Sequence, residues 1–153
     1  LPTLAGYWEG HDLHLRHLLD QIDDAGLAAQ SADRAADRAR MVRALERERL
    51  LVPAPLDPAR SHKLDDQAAL AIQLYLARTP SRVQLVQLED AFGVSQQANL
   101  PGTTEDHPNW RRKLPLALES MPDDPRFGAL ATALSGERPR TSVGEEARAT
   151  RSA

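Results

Sequence analysis

Between residues 64 and 88 the hydrophobic pattern of this chain switches from the period of a helix to that of a strand. From about Leu64 to Arg78 the pattern is helical. Its stretch Ala68-Ala69-Leu70-Ala71-Ile72-Gln73-Leu74-Tyr75-Leu76-Ala77 is apolar nearly all round, which implies burial on more than one side. Thr79-Pro80 stops it, because proline has no N–H to give the helix ladder. Arg82-Val83-Gln84-Leu85-Val86-Gln87-Leu88 then alternates in a way that suits a strand. Helix, short turn and strand in that order make an αβ unit, so the expected class is α/β rather than a helical bundle.

Upstream of this switch the chain reads as helices. Thr3 is placed to cap a first turn holding the aromatic pair Tyr7-Trp8. Asp12 to Asp23 carries an apolar stripe of Leu13, Leu15, Leu18, Leu19 and Ile22, with Gly26 as its expected stop. Ser31 is then expected to cap a long amphipathic helix from Ala32 to Leu51, using Ala35, Ala39, Met41, Val42 and Leu45 as its inner face. Pro53, Pro55 and Pro58 form a stiff connector. Downstream, Glu89-Asp90 ends the strand, Ala91-Phe92-Gly93 turns, and a long polar loop follows. Weaker helical patterns return at Leu114 to Ser120 and at Pro125 to Leu134, and Gly136 to Ala153 reads as a tail.

Composition removes several function classes. The net charge of −3 predicts neither a nucleic-acid binder nor a membrane-surface protein. With no cysteine there are no disulfides or thiolate metal sites, and a reducing compartment suits the chain. No apolar run approaches the ~20 residues that cross a bilayer. The opening Leu1-Pro2-Thr3-Leu4 lacks a Met and any signal-peptide pattern, so the expectation is a piece of a longer protein.

The loop holds most of the functional information. It runs Gln97-Ala98-Asn99-Leu100-Pro101-Gly102-Thr103-Thr104-Glu105-Asp106-His107-Pro108-Asn109-Trp110-Arg111-Arg112-Lys113-Leu114, with a Pro-Gly turn, a second proline and an aromatic-basic exit. Loops this long inside a compact protein are usually functional. The string resembles the loop near the C-terminal end of amylomaltases, the bacterial 4-alpha-glucanotransferases. Two other stretches resemble that family in the right order. They are Leu1 to Trp8, and Leu74 to Arg82 with Val86 to Asp90.

The resemblance implies the C-terminal portion of a (β/α)8 TIM barrel, mostly helical with one clear strand in this chain. Residues 1–135 would belong to the catalytic barrel and 136–153 to a flexible tail. Such barrels need ~250 residues and carry their sites at the C-terminal ends of the strands. It further implies a cytoplasmic, cofactor-free enzyme that moves segments of maltooligosaccharide or α-1,4-glucan between acceptors with retention. Its chemistry uses two carboxylates ~5 Å apart, plus a third acid that holds sugar hydroxyls. By the resemblance all three precede Leu1, the third in a His-Asp pair immediately before it. No catalytic residue is therefore assigned here, and this chain alone is expected to be inactive, lacking the N-terminal part of its own barrel. What carries over is substrate binding by Asn99, Leu100, Pro101 and Gly102, since an amide both donates to and accepts from hydroxyls.

Other residues have blander readings. Glu89 and Asp90 are expected to cap the next turn or pair with an arginine of the loop. Glu105-Asp106-His107 is expected to be a solvated face. Trp110 is expected to pack the loop base onto the following helix, with stacking on a sugar ring as its rival reading. His11, His14 and His17 fan over too wide an arc for one metal ion. Arg34, Arg38, Arg40, Arg43, Arg47 and Arg49 alternate with acids and suit a solvated face. The rival function is a non-catalytic helical sugar-binding or interaction module; a helical nucleic-acid binder is disfavoured by the charge balance.

Overall fold

A computed structural model describes residues 1–52 and 62–139. Among the described residues six α-helices are traced: α1 (Leu4–Glu9), α2 (His11–Leu18), α3 (Asp24–Arg47), α4 (Asp66–Ala77), α5 (Leu88–Ala91) and α6 (Pro125–Glu137). A 3-10 helix over Leu118–Asp123 precedes α6.

Local chemistry places most of the helix starts. A helix leaves its first N–H groups without internal partners, and a short polar side chain supplies the missing acceptor. Thr3 Oγ1 accepts from Gly6 N at 3.0 Å, Asp23 Oδ1 from Gly26 N at 2.7 Å, and Asp65 Oδ1 from Ala68 N at 2.7 Å. Asp124 Oδ1 accepts from both Arg126 N and Phe127 N, with Pro125 at the first helical position, where its missing N–H costs nothing. The Asp23 cap corrects the expected Gly26 stop and Ser31 cap. Asp23 offers a better-placed acceptor, so α3 starts earlier and contains both residues.

The core forms where α1, α3 and α4 meet. Trp8, Leu45, Ala71 and Ile72 are buried together, and Leu4, Met41, Val42 and Leu64 pack around them. Leu45→Ala would remove the most enclosed of these side chains, at a cost of about 2–5 kcal/mol. On another side α6 packs against α4. Phe127 of α6 stacks on Phe92 with ring centroids 6.0 Å apart, and Arg126 Nη1 donates to the Phe92 carbonyl at 2.9 Å. Arg78 joins three elements, reaching the Glu48 carbonyl at 3.0 Å and Glu137 at 2.8 Å.

Part of the expected solvated arginine face is internal. Arg34 forks onto Asp12 at 2.9 and 3.0 Å, lies 3.6 Å from the centre of the Tyr7 ring, and also donates to the Tyr7 carbonyl. Arg38 donates to the Trp8 carbonyl at 2.6 Å. Ala35, assigned to the inner face, is exposed instead.

The expected α/β class, with a clear strand at Arg82–Leu88 closing a (β/α)8 barrel, is overturned. Among the described residues there is no strand at all. Val83 to Gln87 is irregular, and Val83 and Leu85 are 73% and 88% exposed. The reason is physical: period-two alternation becomes a strand only when a neighbour pairs with its backbone. Among the described residues none does, and Leu88, read as the last strand residue, starts α5 instead. The proline connector at Pro53, Pro55 and Pro58 lies outside the described residues, as does most of the expected tail, from residue 140 onward.

Candidate functional site

The loop leaves α5 and is held by hydrogen bonds within itself. Its two arms meet where Trp110 N donates to Ala98 O at 2.8 Å. Inside that neck the Asn109 side chain uses both of its polar atoms twice. Oδ1 accepts from Leu100 N at 2.8 Å and from His107 Nδ1 at 2.9 Å. Nδ2 donates to Thr103 O at 3.1 Å and to Thr103 Oγ1 at 2.9 Å. A primary amide can donate two bonds and accept two, so Asn109 is saturated. An amide oxygen only accepts, which puts the His107 proton on Nδ1.

Further bonds tie down the tip and flanks. Thr103 Oγ1 donates to Leu100 O at 2.7 Å, and Gln97 Nε2 donates to Asn99 O at 3.0 Å. From outside the loop, Gln21 Nε2 reaches Pro101 O at 3.3 Å. Gly102 has φ +83, a left-handed conformation that suits a residue without a Cβ. His107 and Gln97 are buried beneath the loop. The expectation of a solvated Glu105-Asp106-His107 face therefore fits only the two acids, which are exposed.

The four expected substrate-binding residues occupy different environments. Leu100 is 3% exposed and anchors the loop from below. Pro101 and Gly102 are exposed at the turn, and Asn99 is half-buried. The Asn99 side chain makes no hydrogen bond among the described residues, whereas Asn109 has no bonding capacity left. Of the two amides, only Asn99 can serve a ligand.

Residues expected to be bland also find places. Asp90 Oδ1 accepts from Leu4 N at 2.6 Å, so it caps a helix, though α1 rather than the next turn. Burial raises the Asp90 pKa, opposed by the Leu4 N–H bond and aided by the nearby Glu89 charge. Glu89, Gln96, Arg112 and Lys113, together with Val94, Ala98 and Leu114, line a cavity of mixed polar and apolar character, about 220 Å³, at the base of the loop. A larger cavity of about 400 Å³ beside Asp90 is walled mainly by apolar residues such as Leu4, Leu64, Leu70 and Leu130, and by none of residues 97–110. Its walls suit hydrocarbon better than sugar hydroxyls, so the loop is the better candidate site.

Trp110 departs from its expected packing role and is 77% exposed. His17 pairs with Asp24 at 2.8 Å, while His11 and His14 are exposed. Among the described residues no three His, Cys, Asp or Glu side chains group as metal ligands. Sequence reading missed the Asn109 hub. Its only local signal was an Asn directly after Pro108, a pairing typical of side chains that bond back to their own turn.

The chain resembles known proteins over most of its length. A family model described as 4-alpha-glucanotransferase, glycoside hydrolase family 77, matches residues 1–118. A 4-alpha-glucanotransferase of Mycobacterium tuberculosis is 38% identical over 140 residues, covering 88% of this chain and 18% of the relative. One of Haemophilus influenzae is 33% identical over 120 residues, covering 77% of this chain and 17% of the relative. The chain thus spans less than a fifth of the length of these relatives.

Proposed function

Because this chain belongs to the 4-alpha-glucanotransferase family, we propose that the protein carrying it transfers α-1,4-glucan segments between maltooligosaccharides. In such a reaction one carboxylate attacks the sugar carbon while a second protonates the leaving oxygen and later activates the acceptor hydroxyl. Transfer outruns hydrolysis when an acceptor sugar fills the site and water is excluded. We assign neither carboxylate to this chain. Its contribution is a wall of the glucan cleft.

In that wall Asn99 offers an amide to sugar hydroxyls. Pro101 and Gly102 set the shape of the turn, and Leu100 anchors it. The observation that carries this reading is the division of labour between two amides: Asn109 is fully spent on holding the loop, and the Asn99 side chain, one residue from the neck, makes no hydrogen bond among the described residues. Rigid mounting of a polar group is what orientation of a substrate requires.

The reading needs neither cofactor nor metal, since the chemistry is carried by carboxylates. A cytoplasmic setting accords with the absence of cysteine, and among the described residues no helix is long and apolar enough to cross a membrane. The net charge of −3 favours neither nucleic acid nor anionic lipid as partner.

The test is transfer of labelled maltose units by the protein carrying this chain. Products longer than the donor are expected. A protein that only hydrolyses, or that ignores α-glucans, would reject the proposal.

A further inference from the structure

Trp110 combines exposure with a rigid and costly mount. The ring is 77% exposed. Its backbone has φ +60, a left-handed conformation that is unfavourable for any residue with a Cβ and natural for glycine. The backbone is nevertheless fixed, because Trp110 N donates to Ala98 O at 2.8 Å and the preceding Asn109 side chain is saturated by the loop. A position needed only for the turn would be served better by glycine. A position needed for packing would bury its ring. Strain retained at an exposed, well-held position points to use by something outside the chain.

We infer that Trp110 is a stacking platform for one glucosyl unit of the bound glucan, a contact additional to those of Asn99 to Gly102. The inference rests on the glucan reading of the loop. A pyranose ring has an apolar C–H face and a polar rim. Indole offers a wide flat apolar surface with one N–H at its edge, which complements both. The Ala98–Trp110 bond brings the indole-bearing residue next to the neck that also carries Asn99. One arm of the loop then supplies the apolar surface and the other the amide.

The experiment measures glucan transfer and thermal melting of the protein carrying this chain, as wild type, Trp110→Phe, Trp110→Ala and Trp110→Gly. Removing the ring in the Ala and Gly variants is expected to raise KM for maltooligosaccharides roughly tenfold, the scale of one aromatic contact, with kcat little changed. Phe, which keeps a flat face, is expected to recover part of the loss. Trp110→Gly is expected to melt no lower than wild type, since glycine adopts the left-handed backbone without strain. Unchanged KM in the Ala and Gly variants, or a Phe variant as impaired as Ala, overturns the inference while leaving the transferase reading standing. A Gly variant that melts several degrees lower shows a packed ring and also overturns it. A wild type that does not act on α-glucans removes both readings together.

Discussion

Asp90 Oδ1 accepts a hydrogen bond from Leu4 N at 2.6 Å, across 86 positions of sequence. One of the orphan donors at the start of α1 is thereby satisfied by the short helix that precedes the functional loop. The carboxylate is also partly desolvated, and the desolvation decides how it titrates.

Burial, the largest influence on Asp90, raises its pKa. A carboxyl with a raised folded pKa binds its proton more tightly in the fold than in the unfolded chain. It therefore favours folding below the unfolded value of about 3.9 and loses that contribution as pH rises through the raised one. Asp90→Asn keeps the acceptor without the charge, so it should be more stable than wild type at pH 7. The advantage should vanish below about pH 4. Urea unfolding at the two pH values checks this, and an Asn variant less stable at pH 7 refutes it. Asp90→Ala removes the acceptor and should cost about 1 kcal/mol.

Gly6 sets two effects against each other. Alanine is favoured over glycine within a helix by about 1 kcal/mol. A Cβ on Gly6, however, would press into the Ser95 carbonyl oxygen, a backbone atom that cannot rotate away. Overpacking costs about 1–3 kcal/mol and should win, so Gly6→Ala lowers the melting temperature. A variant as stable as wild type would show that the Ser95 segment yields freely.

Arg34 and Asp12 retain 10% and 12% side-chain exposure in their ion pair. Removing either partner strands a charge in a poorly solvated place, at about 3–5 kcal/mol. Arg34→Met combined with Asp12→Leu should cost clearly less than the two single changes added together. A double-mutant cycle in denaturant measures the coupling, and additive effects would show that the pair is not linked.

Asn109→Ala deletes four loop hydrogen bonds in one step. Local opening at the Leu100 amide should become easier by about 1–3 kcal/mol, seen as faster hydrogen exchange. The Leu45 core should keep its protection. Faster exchange confined to the core, with the Leu100 amide unaffected, would contradict the role given to Asn109.

The chain by itself, without the rest of the protein that carries it, should transfer no glucan, because no paired carboxylates of the required spacing are assigned in it. Measurable transfer by the purified 153-residue polypeptide would overturn that view.

Several features were legible in the residues because their causes are local. Thr3 was recognisable as a cap because its acceptor reaches only to Gly6. The apolar run at Ala68 to Ala77 identified α4, although Leu76 remains 45% exposed. The loop and its family likeness were visible in the string from Asn99 to Leu114. Other readings failed where a distant partner decided the outcome. Trp110 looked like a packing residue because a large aromatic near a helix usually buries its ring, whereas its backbone bond to Ala98 holds it outside.

The order of amino acids alone determined the Thr3 cap, the helical pattern of α4 and the family, since each depends on neighbours within a few positions or on a continuous string. The tertiary structure alone decided that Arg34 lies inside on Asp12, that Asp90 caps Leu4, and that Arg82 to Leu88 forms no strand. Those outcomes depend on which remote group supplies a counter-charge, an N–H or a pairing backbone. Local periodicity carries no record of such partners.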